Sequence, residues 1–313
     1  MVVKDRDYKK RKAMDALFYA SFMIIPVISF LVFYVYVNLD SFVMAFQRPE
    51  NGKLVFASFD NFKWVFDKIK NGSVDEADNL RLAFINTFKT FGIQMIMFPI
   101  GLFVSYFIYK KIWGYKVFRI IFYLPTLISS VVVSFFFLEV MQYGFMPKLL
   151  QKLYNPGYQI RNPLADSDFA NKMVFLHYIW LNFPGSLIIW GGTFSRIPDS
   201  VLESARLDGV NWVQEMFLII LPLVWPTFVL MITLQLAGIF GATGAVFLLT
   251  EGGFGTQTVS NWMYMQVYRT NNPYASGTLY YVSAMGLMLT VISCVIAILV
   301  RKFLTNKIEE TTY

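Results

Sequence analysis

The sequence is short of cysteine, histidine and charge. A single cysteine, Cys294, excludes any disulfide within the chain. A single histidine, His177, leaves no imidazole cluster from which to build a metal site. Charged residues make up only 15% of the 313 positions, where a soluble domain carries about 25%. Hydrophobic residues reach 56% and aromatics 18%, which is membrane composition. No Gly-x-x-x-x-Gly-Lys-Ser/Thr occurs, so a P-loop is excluded. The cluster Gly252-Gly253-Phe254-Gly255 has no strand before it and no Lys-Ser/Thr helix after it, and reads as a flexible loop. No nucleophile–base pair stands out, which argues against a membrane enzyme.

What is present is a set of long apolar runs separated by patterned charge. Residues 1–15 are polar and mostly basic, and an apolar run follows over about 16–37. That run is too long for the h-region of a signal peptide, and no small-residue cleavage site follows it. It reads as a first span with a cytoplasmic N-terminus, in which Pro26 is tolerable. Residues 38–82 are mixed polar and are placed outside as a loop, with Asp75, Glu76 and Asp78 among their acids. The second span covers about 84–109. Lys110, Lys111, Lys116 and Arg119 then crowd a gap without an acid, a positive-inside signal. The third span covers about 120–141 and contains Pro125 and Glu139. Residues 142–171, with Gly144, Pro147, Pro156, Gly157 and Pro163, read as an external loop of turns. The fourth span covers about 173–194, interrupted by Pro184-Gly185, and the fifth about 217–240. Residues 241–277 hold a short apolar piece at 245–249, too short to span and expected to be re-entrant or interfacial. The sixth span covers about 279–300, with Arg301, Lys302 and Lys307 behind it. The expectation is an all-α polytopic membrane protein with six transmembrane helices and both termini cytoplasmic. Its parts are an N-terminal segment 1–15, a membrane domain 16–300 and a tail 301–313.

The stretch 196–222 is a polar insert between the fourth and fifth spans, cytoplasmic on this topology. Pro198 cannot continue an earlier helix, and Asp199 or Ser200 can cap a new one. Gly209 is a natural stop. The helix between is about ten residues, roughly 15 Å long, and too short to be stable unpacked in water. Val201, Leu202 and Ala205 share one face, while Glu203 and Arg206 lie elsewhere. A second helical stretch from about Asn211 leads into the fifth span, with Pro222 and Pro226 available to bend it. Two basic residues, Arg196 and Arg206, stand against four acids, Asp199, Glu203, Asp208 and Glu215, a net of −2. The helix is either a surface helix lying on lipid or one that docks on a protein. Helices lying on lipid favour Lys and Arg on the polar face, so the acidity suits a basic protein groove better.

Polar residues inside spans are functional candidates. Gln94, Glu139, Asn182 and Gln235 qualify, and Asn261, Trp262 and Tyr264 follow the 245–249 piece. Aromatic faces with hydrogen-bonding side chains suit sugars, so these residues can line a path; equally, each can bond a neighbouring helix. Glu139 lies near the external end of its span, and His177 reads as a satisfied interface residue. An ion-coupled secondary carrier is the alternative class. It needs internal repeats or paired intramembrane carboxylates, and it leaves the acidic insert without a use.

The spacing Glu203-Ser204-Ala205, three residues, Gly209, nine residues, Ile219, one residue, Leu221-Pro222 resembles the EAA loop of bacterial ABC importer permeases. Ser204 stands where the family has a first alanine, a small-for-small change. Further landmarks resemble the carbohydrate-type permeases of the maltose and glycerol-phosphate importers, over about residues 16–300. They are Asp60-Asn61-Phe62, Asn86-Thr87, Phe118-Arg119 with Tyr123-Leu124-Pro125, Tyr143-Gly144, and Leu249-Thr250 before Gly252-Gly253. Phe254 stands where a proline usually follows the two glycines. The resemblance implies a permease subunit of the bacterial inner membrane, half of a translocation path for a sugar or oligosaccharide. It implies a homologous second permease, a dimeric ATP-binding subunit, an extracytoplasmic solute-binding protein and the lipid bilayer as partners, with no nucleic acid. ATP is then used by the partner, and no cofactor is bound by this chain. Glu203, Ser204, Ala205, Asp208 and Gly209 are the implied ATPase-coupling residues. Glu203 would pair with a basic residue of the ATPase, Ala205 would permit close approach, and Gly209 would set the turn.

Overall fold

Apolar runs in lipid have no water to satisfy their backbone, so they coil into helices. A computed structural model describes residues 2–50, 52–73, 79–154, 162–241, 244–272, 274 and 276–306. Four helical stretches are each long and apolar enough to cross a membrane: Met14–Ala45, Leu80–Tyr109, Ala170–Phe194 and Thr278–Thr305. Two bent helix pairs pass the same test, which gives up to six spans when each pair is counted as one.

The bends have local causes. The third span divides into Tyr115–Leu127 and Ser130–Gln142, which meet at 104°. Ile128 and Ser129, both with extended ψ, interrupt the helical ladder between them. The fifth span divides into Trp212–Leu223 and Trp225–Ala237 at 73°. Pro226 enters the second piece in its first turn, where a missing N–H does no harm. Pro26, Pro99 and Pro184 instead lie inside helices that continue past them, so Pro184-Gly185 does not interrupt the fourth span. The first span and the start of the fifth each contain one π-helical stretch, Leu31–Tyr36 and Glu215–Ile220.

The chain falls into two compact units. One comprises residues 1–65 and 270–288. Its first helix is continuous from Val2 to Ala45 across the π stretch, so the basic N-terminal segment is helical and the span is longer than its apolar run. The mixed polar region behind it is structured rather than a loop. Strand Gln47–Glu50 pairs antiparallel with Lys53–Phe56, Gln47 facing Phe56. Asn61, in the helix Asp60–Asn71, donates from Nδ2 to the carbonyls of Ala45 and Gln47, both at 2.8 Å. Phe46 packs its ring against Phe56, Phe59 and Phe62. Thus Asp60-Asn61-Phe62 is the clamp that closes the hairpin on the end of the first span.

The other unit comprises residues 66–269 and 289–313. Its larger core joins the second, fourth and fifth spans through Phe98, Leu102, Tyr106, Trp190, Phe194 and Met231. A second core packs Phe137 and Met141 of the third span against Met173 and Val174 of the fourth, with Val246 and Leu249. The last two belong to the helix Gly244–Thr250, whose seven residues cannot cross a membrane. A further helix, Val259–Arg269, follows it. The 142–171 region contains a helix, Met146–Tyr154, as well as turns. Pro156 and Gly157, together with Asp75, Glu76, Asp78 and Lys307, lie outside the described residues.

Candidate functional site

The insert between the fourth and fifth spans folds as a nine-residue helix, Asp199–Leu207. Neither Asp199 nor Ser200 caps it. Pro198 holds the N-cap position with an extended backbone and no side-chain bond, which places Asp199 in the first turn beside the positive end of the dipole. The C-terminus closes in a Schellman motif: Gly209 N–H donates to Arg206 O and Val210 N–H to Ala205 O, each at 3.1 Å. That motif needs a left-handed residue, and Gly209 supplies it at φ +72°. Two residues on, Asn211 opens the next helix with a capping box. Its Oδ1 accepts from Val213 and Gln214 N–H, and Gln214 Oε1 accepts from Asn211 N–H.

The helix has a clear inside and outside. Leu202 and Ala205 are buried, and Leu202 joins Ile197, Met216 and Ile220 in the large core. Glu203, Ser204, Arg206, Asp208 and Gly209 are exposed. Ala205 therefore gives close approach to its own chain and does not face outward with Glu203. Leu207 is 89% exposed among these acids, an apolar side chain off the face shared by Val201, Leu202 and Ala205.

Behind the helix lies an ion pair between residues distant in sequence. Lys110 Nζ donates to Glu215 Oε1 at 2.7 Å and Oε2 at 2.8 Å. Lys110 caps the C-terminal end of the second span, and Glu215 opens the π-helical start of the fifth. The Glu215 side chain is only 5% exposed. A buried carboxylate needs such a partner, so one of the four acids in the insert is satisfied within the chain.

Toward the middle of the spans, Gln94, Asn182 and Gln235 line one cavity of about 140 Å³, with Tyr178 and Ser186. They come from the second, fourth and fifth spans. The Gln235 Oε1 atom is buried without a hydrogen-bond partner, and Asn182 Nδ2 donates to Tyr178 O at 2.9 Å. Tyr178 and Asn182 also line a neighbouring cavity of about 740 Å³, between the second, third and fourth spans, the residues just after the fifth, and the Gly244–Thr250 helix. Tyr178 was not among the candidates, because a tyrosine at that depth resembles a belt residue in sequence.

Asn261, Trp262 and Tyr264 do not line these cavities. Asn261 and Trp262 are fully buried, and Tyr264 is half exposed with its ring on Phe247 and Tyr268. Asn261 sits under the 250s loop, where a Cβ on Gly252 would run into its Oδ1. That loop is ordered, not merely flexible. Glu251, Gly252, Phe254 and Gly255 all adopt positive φ. Asn86 Nδ2 donates to Gly255 O at 2.7 Å and Gln257 O at 3.0 Å, and Asn171 Nδ2 to Gly255 O at 2.9 Å. Thr87 Oγ1 accepts from Val259 N–H at 2.9 Å. Phe254, at φ +54°, stands where a proline ring, fixed near −65°, does not fit this path. Glu139 is exposed. His177 is buried, with Nε2 3.1 Å from Ser134 Oγ and Nδ1 without a partner.

Comparison with known proteins bears on the family and the fold. The chain is similar to the arabinooligosaccharides transport system permease protein AraP of Bacillus subtilis, 24% identical over 95% of this chain and 90% of that protein. It is 25% identical to the multiple sugar-binding transport system permease protein MsmF of Streptococcus mutans, over 96% and 99% of the two chains. Its fold matches a solved bacterial alginate ABC transporter in complex with an alginate pentasaccharide-bound periplasmic protein. There the TM-score is 0.73 and the identity 21%, with 97% of this chain and 99% of that one covered. Residues 97–308 match the model of a family of membrane permeases, and the chain belongs to that family, the binding-protein-dependent transport system inner membrane components.

Proposed function

We propose that this chain is the permease subunit of an ATP-driven importer and forms half of the translocation path for a sugar or oligosaccharide. The carbohydrate class rests on the names of its relatives, AraP and MsmF. The observation that carries the coupling reading is the two-sided helix Asp199–Leu207: Leu202 is anchored in a core shared by three spans, while Glu203 and Asp208 face outward. A surface that receives force needs both properties.

On this reading ATP is bound and hydrolysed by a separate dimeric subunit with a basic cleft that takes Glu203. This chain binds no cofactor. A homologous second permease completes the path, and an extracytoplasmic binding protein delivers the solute. The protein sits in a bacterial inner membrane with both termini and the Asp199–Leu207 helix in the cytoplasm. That sidedness is supported by Lys111, Lys116 and Arg119 beyond the second span and by Arg301 and Lys302 at the end of the sixth. The acidic insert, the amide-lined cavity and, among the described residues, the lack of Asp or Glu in either cavity favour this reading over an ion-coupled carrier.

The test is purification from the native membrane in mild detergent. An ATPase and a second permease are expected to co-purify, and the isolated chain is expected neither to bind nor to hydrolyse ATP. Nucleotide turnover by the isolated chain would contradict the division of labour.

A further inference from the structure

The cavity residues carry information about solute charge. We infer that the segment of solute handled by this half of the path is uncharged: neutral sugar rings rather than uronates or phosphate esters. This rests on the permease reading above and deepens it.

The two adjoining cavities meet at Tyr178 and Asn182. Their polar groups are amides and hydroxyls, among them Gln94, Gln235 and Ser186. Amides and hydroxyls both donate and accept, which is the complement of a sugar hydroxyl. Gln235, whose Oε1 makes no hydrogen bond within the chain, lines the smaller cavity and has an acceptor left to satisfy. Phe98 and Phe183 offer apolar ring surface in the same cavity, against which the C–H face of a sugar ring can lie.

Among the described residues, no Lys, Arg, Asp or Glu lines either cavity. Lys89, next in sequence to the cavity residue Thr90, is exposed and lines neither. An anion drawn into this region exchanges water for neutral dipoles without a counter-charge, and such desolvation disfavours the charged form. Sites that bind carboxylates or phosphates tightly commonly add Arg or Lys to backbone N–H donors, and neither cation is present here. Here the complement is that of a neutral polyol.

The experiment uses the complete complex in detergent with the binding protein left out, so that its own selectivity does not enter. Three probes are titrated: a mixture of neutral malto- and arabino-oligosaccharides, an oligogalacturonate mixture of matching lengths, and glucose 6-phosphate. Binding is followed by the shift in thermal unfolding. The neutral mixture is expected to bind at least about tenfold more tightly than either anion, and Asn182→Ala and Gln235→Ala are expected to weaken it. If the anionic probes bind as well as the neutral ones and the two variants weaken them, the path stands and the charge inference is overturned. If no probe binds and both variants leave cellular uptake unchanged, the assignment of the path to these amides fails, and the inference with it.

Discussion

Lys110 and Glu215, 105 residues apart, form a bidentate ion pair at 2.7 and 2.8 Å with the carboxylate almost fully buried. The pair ties the C-terminal end of the second span to the first turn of the fifth, directly behind the Asp199–Leu207 helix. It explains part of the acidity of the insert, because Glu215 belongs to the core and not to the outward face.

Breaking one side of a buried pair leaves an uncompensated charge, and the cost is about 3 kcal/mol. Glu215→Gln and Lys110→Met are each expected to lower the thermal stability of the detergent-solubilised protein by that order. The double variant Lys110→Met/Glu215→Leu should recover most of the loss, since an apolar pair removes both unpaired charges. Single variants as stable as the parent would contradict the assignment.

Gly209 is tested through its backbone. Left-handed φ costs a residue with a Cβ about 1 kcal/mol or more, and no side chain crowds the position, so the conformation alone is at issue. Gly209→Asn should retain most transport, Gly209→Ala less, and Gly209→Pro almost none, because proline cannot adopt the angle or donate to Arg206 O. Membrane insertion should be unaffected in all three. Solute uptake measured against protein in the membrane gives the order.

The two leucines of the insert should separate packing from docking. Leu202→Ala empties a core site and is expected to destabilise the chain by about 2–4 kcal/mol. Leu207→Ala changes a side chain that is 89% exposed and should leave stability within about 0.5 kcal/mol. If Leu207 meets the ATPase, its loss should nonetheless weaken retention of that subunit during purification.

Asn86 anchors the 250s loop through two donated bonds, worth about 1 kcal/mol each. Asn86→Ala should speed hydrogen exchange of the backbone amides over residues 253–259 while leaving the spans protected. Exchange unchanged in that loop would show that the bonds are not what holds it.

The long helices are legible because apolar runs in lipid obey a simple rule of length. The stop at Gly209 was legible for the same reason: one residue type answers one backbone need. The break at Ile128-Ser129 was not, since neither residue carries a turn signature and Pro125 lies within the preceding helix. The hairpin at 47–56 was hidden by its brevity and by Arg48, Pro49 and Glu50 in one of its strands. Ala205 shares a motif with Glu203, but the helical turn sends it inward, and only the packing of Leu202 settles which side is which. Asn261 and Trp262 are polar or aromatic near a short apolar piece, and the fold buries both away from the cavities. Their burial is decided by the Asn86 and Asn171 contacts that pull the 250s loop over them, contacts spanning 84 residues or more. Gln94, Asn182 and Gln235 stand out in the sequence as amides within apolar runs, and the fold brings the three to one cavity.

If a separate ATPase drives this chain, Glu203 is the exposed residue that meets it. The direct measurement is transport and solute-stimulated ATP hydrolysis by the reconstituted complex carrying Glu203→Lys. Because Glu203 is exposed, the variant should fold and insert normally. The complex is expected to lose at least about tenfold in transport, the effect of a like-charge contact of roughly 1.4 kcal/mol or more, with hydrolysis no longer stimulated by solute. Normal transport and normal solute-stimulated hydrolysis would contradict the coupling role of the Asp199–Leu207 helix.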